Sequence, residues 1–230
     1  DDPFMFRLTA DTSNLYMHSV QTWNRLREGD EIEEAFRRNN REPIIKSFKI
    51  KAFKGDSLYL ADMTEFFKSN DKLITPLPFS SNITGKQSAS YDGSASKILG
   101  VKSFERNVEI TSQLNYHGEH NAYMVDMRRS ILLLPETPMQ MRYQDNRVGY
   151  FSTRYNYFSS DRDDIKKKQF IHRWRMQPKA EDMDRYFAGE LVEPETPIVY
   201  YVDSAFPEKW RGAIKQGIED WQTAFEAAGF

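Results

Sequence analysis

The chain alternates between hydrophobic and polar residues over much of its length, and this pattern predicts β-strands. Ile45, Phe48, Ile50 and Phe53 are separated by lysines and a serine, so one face of this strand should be buried and the other wet. Antiparallel pairing fits such strands best. The predicted strands are Phe4–Leu8, Leu15–His18, Ile44–Phe53, Val108–Tyr116, Tyr123–Leu134, Val148–Phe158 and Gln169–Met176.

Four shorter segments differ from this pattern. Glu31–Asn39 lies between two turn signals and fits either a helix or a strand; we favour a strand. Ser80–Lys97 is rich in serine and glycine, which predicts a mobile surface loop. Asp62–Phe67 and Ala180–Ala188 are predicted to form short helices.

The C-terminal residues predict a strand followed by a long amphipathic helix. Ile198–Val202 is an apolar run closed by Asp203 and Ser204, as in a buried strand that ends in a turn. Pro207 suits the start of a helix and Gly229 suits its end. Between them, the apolar residues recur at spacings of three and four; they are Trp210, Ala213, Ile214, Gly217, Ile218, Trp221, Ala224, Phe225 and Ala228.

These elements define an α+β fold with a mainly antiparallel β-sheet, few short helices and one long C-terminal amphipathic helix. A two-sheet sandwich and one large twisted sheet both fit the strands. The prolines in residues 193–197 predict a stiff linker, which divides a β-rich region of residues 1–192 from residues 198–230. The last strand and helix carry more apolar surface than they can cover, so we expect them to open a larger domain.

Composition narrows the possible functions. The 230 residues include 32 basic and 34 acidic ones, for a net charge of -2, and no long basic run. Nucleic acid is therefore not an expected partner. A mean hydropathy of -0.72 leaves no candidate membrane span. The lack of cysteine excludes disulfides, cysteine nucleophiles and thiolate metal sites.

No catalytic, cofactor-binding or metal-binding residue can be assigned from a motif. The closest to a metal motif is His117-Gly118-Glu119-His120, but its histidines are three residues apart, whereas a zincin helix places them four apart. A solvated hairpin turn is the favoured interpretation. The chain also has no Gly-x-Ser-x-Gly elbow and no phosphate-binding glycine loop.

Two clusters combine charged and aromatic residues. Arg142–Phe151 could form a binding surface, or it could join two sheets through buried ion pairs, which we favour. Lys166–Lys168 and His172–Arg175 could attract an acidic partner, although a solvated face explains them more simply.

Several long segments carry a resemblance to a known family. They are Ser130–Glu136, Met141–Phe151, Arg173–Pro178, Gly189–Pro194 and Pro197–Phe230. In these segments the chain resembles a family of large bacterial exported zinc-dependent metalloproteases, in which an N-terminal region precedes a metzincin-like catalytic domain. The resemblance covers the whole chain loosely and residues 130–230 closely.

The resemblance implies that this chain is the non-catalytic N-terminal portion of such an enzyme, followed by the first strand and helix of the protease domain. It implies export to the periplasm, the outer membrane or the exterior, zinc in the full-length protein, and protein or peptide substrates. The His-Glu-x-x-His motif of the family is absent here, so we expect this chain to hold no zinc and to be inactive.

We expect the segment Met141–Met176 to pack against the protease domain and to position it or shield its cleft, because this segment is dense in Arg, Tyr and Phe, which interfaces favour. A binding module for protein or glycan, with stacking surfaces such as Tyr150, Tyr155, Tyr157 and Trp174, is the main alternative; a structural spacer is another. The candidate interface residues are Arg142, Tyr143, Asp145, Arg147, Tyr150, Phe151, Trp174, Trp210 and Trp221.

Overall fold

A computed structural model describes residues 4–55, 58–76, 89–118 and 121–230. The strands, in chain order, are β1 Phe6–Ala10, β2 Asn14–Ser19, β3 Asn24–Leu26, β4 Ile44–Lys54, β5 Leu58–Ala61, β6 Ser90–Ser103, β7 Asn107–His117, β8 Ala122–Leu132, β9 Ser152–Phe158 and β10 Lys166–Ile171. The helices are α1 Glu33–Asn39, α2 Thr64–Phe67, α3 Met183–Phe187, α4 Glu208–Glu219 and α5 Gln222–Ala227, with a 3₁₀ turn at Ala180–Asp182. The predicted α+β class, with mainly antiparallel sheet and few short helices, is confirmed.

The strands form three sheets. One has the order β1-β2-β4-β5 and another the order β6-β7-β8, and neighbouring strands in both are antiparallel. The third has the order β10-β9-β3, with β3 and β9 parallel. The predicted long C-terminal helix is formed by α4 and α5, which are separated by two residues.

The chain divides into two compact units. Unit 1 comprises residues 1–138 and 154–168, and unit 2 comprises residues 139–153 and 169–230. The predicted division at residues 193–197 stays a prediction.

Unit 1 has one well-defined hydrophobic core. Met17 from β2, Phe48 from β4, Phe66 and Phe67 from α2, and Ile110 from β7 are buried together. The core therefore takes side chains from two separate sheets and from α2, which fits the two-sheet alternative. Alternation along β7 explains the arrangement, because every second residue of this middle strand points into the core.

Hydrogen bonds from a buried arginine hold the segment after α2 in unit 1. Arg129 on β8 donates to the carbonyl oxygen of Ile74 at 2.9 Å and to that of Phe67 at 3.2 Å. Ser112 on β7 also donates to the Phe67 oxygen, at 2.8 Å. Burial lowers the pKa of Arg129, so these contacts must offset the cost of removing its charge from water.

A buried carboxylate fixes a second segment of unit 1. The side chain of Asp30 accepts hydrogen bonds from the backbone N–H groups of Ser160, at 3.0 Å, and Ile32, at 3.2 Å, and pairs with Arg27 at 3.1 Å. Burial alone would raise the pKa of Asp30. The hydrogen bonds and the positive charge of Arg27 outweigh it and lower the pKa to about 2.

Three of the predicted local structures are wrong. Residues 33–39 form α1, not a strand, because Glu33 pairs with Arg37 one helical turn later and Phe36 packs against Phe158. Residues 90–97 are not loop but belong to β6, which pairs with β7 through backbone groups despite its small, polar side chains. The rest of that predicted loop, residues 80–88, lies outside the described residues, and residue 89 precedes the strand.

The third wrong prediction is the strand at Ile198–Val202. The segment lies in unit 2 and is not assigned to any sheet of the described structure. It ends in the predicted turn, where the backbone N–H of Ala205 donates to the side chain of Asp203 at 2.7 Å. A strand requires a neighbour to pair with, which residues 198–202 lack among the described strands.

Candidate functional site

Every predicted interface residue lies in unit 2. Tyr143, Tyr150, Phe151, Trp174, Trp210 and Trp221 are all exposed, and Phe151 is 88% exposed. These aromatic side chains therefore lie at the surface of unit 2, and their role at an interface stays a prediction.

A backbone pairing fixes the position of the first cluster. The N–H of Ile171 donates to the carbonyl oxygen of Arg142 at 2.9 Å, and that of Gln144 donates to Gln169 at 3.0 Å. Between these two hydrogen bonds, Tyr143 and Phe170 form an antiparallel bridge. The segment around Tyr143 therefore runs alongside the end of β10.

Asp145 and Arg147 form a local ion pair at the turn that follows. The guanidinium of Arg147 contacts both carboxylate oxygens of Asp145, at 2.9 and 2.7 Å, and the Arg147 N–H donates to one of them. These bonds lower the pKa of Asp145. Because both side chains are exposed, this pair fixes the turn and does not join two sheets as a buried ion pair, which corrects the favoured interpretation.

Arg173 was not among the predicted interface residues, although its cluster was noted. The residue is half-buried, and its guanidinium donates to the carbonyl oxygen of Gln140 at 2.8 Å. Burial, and then the positive charge of Arg142, lower the pKa of Arg173. Two guanidinium groups therefore lie close enough to repel each other. The alternating pattern around His172 could have suggested a paired strand, but it could not show which segment lies beside it.

Trp174 forms one wall of a groove within unit 2. The groove has a volume of about 310 Å³, and most of its lining comes from residues 195–200, which include the end of the predicted linker and the residues that follow it. The rings of Trp174 and Tyr200 meet edge to face, with centroids 6.4 Å apart. The lining residues are Trp174, Arg175, Glu195, Thr196, Pro197, Ile198, Val199 and Tyr200.

The C-terminal helical segment leaves its apolar side chains largely uncovered. Neither α4 nor α5 has a buried residue. Trp210 is 54% exposed and Trp221 is 68% exposed, while Ile214 and Phe225 are half-buried. The apolar side of this segment is thus open in the structure of unit 2. We refer to Trp210, Ile214, Ile218, Trp221 and Phe225 as the helical ridge.

Both ends of this helical segment are fixed by contacts in unit 2. At its start, Arg211 donates to the carbonyl oxygens of Ser204, at 2.7 Å, and Phe206, at 3.0 Å. At its end, Gly229 has a φ of 95° and accepts a hydrogen bond from the N–H of Val192 at 3.1 Å. The ring of Tyr186 lies against Phe230, with centroids 5.3 Å apart. As predicted, Gly229 ends the helix.

The histidines whose side chains are described make ordinary structural contacts. His117 contacts the carboxylate of Asp92 at 3.0 Å on the surface, and His120 lies outside the described residues. His18 and His172 each contact a threonine hydroxyl, Thr9 at 2.8 Å and Thr153 at 2.6 Å. Within the described ranges, no three side chains of the kinds that bind metals come together.

No helix in the described part of the chain has the length and apolar character needed to span a bilayer.

Taken together, the antiparallel sheets of unit 1 and the exposed surfaces of unit 2 define an α+β chain with a candidate interaction surface and no recognised catalytic centre among its described residues. The chain belongs to the family described as domain of unknown function (DUF5117), whose model matches residues 2–179. Comparisons with curated proteins and with solved structures give no match.

Proposed function

We propose that this chain is the non-catalytic N-terminal portion of an exported zinc-dependent metallopeptidase, and that unit 2 packs against the catalytic domain of that enzyme. The proposed packing rests on one observation, which is that the helical ridge is exposed. Apolar area of this kind gains about 25 cal/mol for each Å² removed from water, so a covering domain would be bound favourably. The resemblance in residues 130–230 supplies the identity of that domain, with zinc bound there and protein or peptide as its substrate.

The segment Ile198–Val202 supports the same proposal. Its side chains are apolar or aromatic, and Tyr201 is 91% exposed. An extended backbone without a strand partner can complete the sheet of another domain through main-chain hydrogen bonds. One covering domain could therefore pair with residues 198–202 and cover the helical ridge that follows them.

The experiment adds this chain to the separately produced protease domain and measures the thermal stability and the peptide-cleavage rate of that domain. We expect one of them to change, and we expect Trp210→Lys and Trp221→Lys to reduce the change. Trp23→Lys is the matched control, because Trp23 is a similarly exposed tryptophan in unit 1. If the added chain alters neither quantity, the proposal is wrong; if the control variant has the same effect, the helical ridge is not the contact.

A binding module for protein or glycan is the second candidate, and the groove at Trp174 and Tyr200 favours it. Pairs of exposed aromatic rings can stack on sugar rings or hold apolar side chains. Screening the chain on glycan and peptide arrays, beside Trp174→Ala and Tyr200→Ala, would test it. A ligand that binds the chain but neither variant would support this candidate.

A further inference from the structure

The two guanidinium groups of Arg142 and Arg173 lie on one face of unit 2. Tyr143 and Phe170 form a bridge, so Arg142 lies opposite Ile171, and Arg173 is two residues farther along. Side chains at such diagonal positions leave the same face, with their Cβ atoms about 7–8 Å apart. The hydrogen bond from Arg173 to Gln140 shows that its guanidinium turns back over the same paired segment.

Neither of these two positive charges has an ion-pair partner among the described residues. No described carboxylate forms an ion pair with Arg142 or Arg173, whereas the nearby Arg147 is paired with Asp145. Arg173 is half-buried, so it has also lost part of its hydration. A guanidinium stays protonated under such conditions, and the cost of burial and of like-charge repulsion remains in the folded chain.

The arginine pair also retains unused hydrogen-bond donors. A guanidinium has five N–H donors, and the described contacts of Arg173 use one of them, to Gln140. The described contacts of the Arg142 side chain use none. The donors that remain on the two guanidinium groups match the planar oxygen pair of a carboxylate, which arginine binds through two hydrogen bonds.

The surroundings of the pair favour a peptide as the source of that carboxylate. Exposed aromatic side chains at Tyr143 and Trp174 adjoin the two arginines in sequence, and Trp174 opens the groove with Tyr200. A peptide that alternates acidic and apolar side chains suits such a surface, because the arginines can bind its acidic side chains and the aromatic wall can contact its apolar ones. A free phosphate ion would gain nothing from the aromatic wall.

We propose that Arg142 and Arg173 form a site for the carboxylate of an extended acidic peptide segment whose apolar side chains lie in the groove at Trp174 and Tyr200. The site is distinct from the helical ridge and does not depend on the proposed protease assembly. It explains why a half-buried arginine is placed beside a second one without an acidic neighbour.

The test measures fluorescence anisotropy of an end-blocked, fluorescein-labelled peptide, Glu-Val-Glu-Tyr-Glu-Val, added to the full 230-residue chain. The comparison peptide has glutamine at each glutamate. We expect the acidic peptide to bind at least about tenfold more tightly, since hydrogen bonds between charged partners are among the stronger ones. Added salt should weaken its binding.

Variants of the chain locate the site. Arg142→Gln changes an exposed side chain and is expected to weaken binding of the acidic peptide about tenfold. Arg173→Lys keeps the charge but loses the forked geometry, so it should weaken this binding less. Arg147→Gln is the matched control, expected within about twofold of the unmodified chain because Arg147 is already paired. Circular dichroism and thermal melting verify that each variant folds.

Three outcomes would overturn the proposal. The first is that the two peptides bind equally or that neither binds. The second is that Arg142→Gln and Arg147→Gln change the binding of the acidic peptide by the same factor. The third is that inorganic phosphate alone displaces the acidic peptide at a concentration similar to that of the peptide, which would make this a site for small anions. Preferential binding of the acidic peptide that is lost in Arg142→Gln and kept in Arg147→Gln supports it.

Discussion

Strand β7 in unit 1 and the helical segment of unit 2 are both rich in apolar side chains, yet only β7 is covered. Leu114 is completely buried, and Ile110 and Tyr116 are buried nearly as well. In the helical segment Ile218 is 37% exposed, and no residue of α4 or α5 is buried. An amphipathic pattern therefore indicates which face of an element is apolar, but whether that face is covered depends on its neighbours.

The largest expected effect contrasts one residue from each region. Leu114→Ala should lower the free energy of unfolding by about 2–5 kcal/mol, because it leaves a cavity in a closed core. Ile218→Ala should change it by less than about 1 kcal/mol, because Ile218 is already partly in water. Urea unfolding followed by circular dichroism measures both. Equal losses would mean that the helical ridge is covered in solution.

The next effect tests the buried polar network of unit 1. Arg129→Met should cost about 1–3 kcal/mol, because the carbonyl oxygen of Ile74 loses the Arg129 donors and that of Phe67 keeps the Ser112 hydroxyl but loses Arg129. The matched change in unit 2, Arg147→Met, should have little effect, since its ion pair is exposed. The same unfolding measurement applies. If Arg129→Met is neutral, the arginine contributes little net stability to the segment after α2.

A pair of glycines separates backbone strain from crowding within unit 2. Both Gly189 and Gly229 have positive φ, so alanine at either should cost roughly 1–3 kcal/mol. The cost should be greater at Gly229, where an added Cβ would lie 2.6 Å from Cε2 of Tyr186, than at Gly189, where it meets nothing within 4 Å. Limited proteolysis of the C-terminal helical segment, with thermal melting, reports the difference. Equal costs would mean that the Tyr186 ring moves aside freely.

The smallest effect is a pH dependence in unit 1. The pKa of Asp30 is lowered in the folded chain to about 2 from 3.8, so its charged form stabilises the fold above about pH 4. That stability is lost as the pH falls towards 2. Asp30→Asn should therefore be less stable near pH 6, and the difference should narrow on acidification.

Melting temperatures at pH 6, 4 and 3 measure this change, with Asp184→Asn at an exposed position of α3 as the control for loss of one acidic charge. A difference for Asp30→Asn that stays constant across this range would contradict the assigned hydrogen bonds to Asp30.

The sequence was sufficient to predict β4, β7, β8 and the C-terminal helix, because their periodicity extends over many residues. β7 and β8 lie close to their predicted ranges, and Gly229 ends the helix as expected. It was not sufficient for α1, because its seven residues fit both the helical and the strand periodicity. Packing of Phe36 on Phe158 favours the helix there. Nor was it sufficient for β6, whose small polar residues are held by the neighbouring strand.

The candidate site was predicted only in part. Exposed aromatic residues such as Trp174 were identified from their clustering, but the grouping of Arg142 with Arg173 depends on a pairing between segments about thirty residues apart in sequence. No local pattern encodes that pairing. The assignment of Ile198–Val202 to a sheet was wrong, because residue type shows a preference for strand and not the presence of a partner.

The contacts at the two ends of the C-terminal helical segment have a consequence for binding kinetics and affinity. Arg211 holds the preceding turn, and Tyr186 with Val192 holds the end, so the exposed side chains between them are already arranged on a formed helix. A partner would not need to fold this segment on arrival, and most of the entropy loss that accompanies coupled folding would be avoided. Association at this surface should therefore proceed as docking of a preformed element.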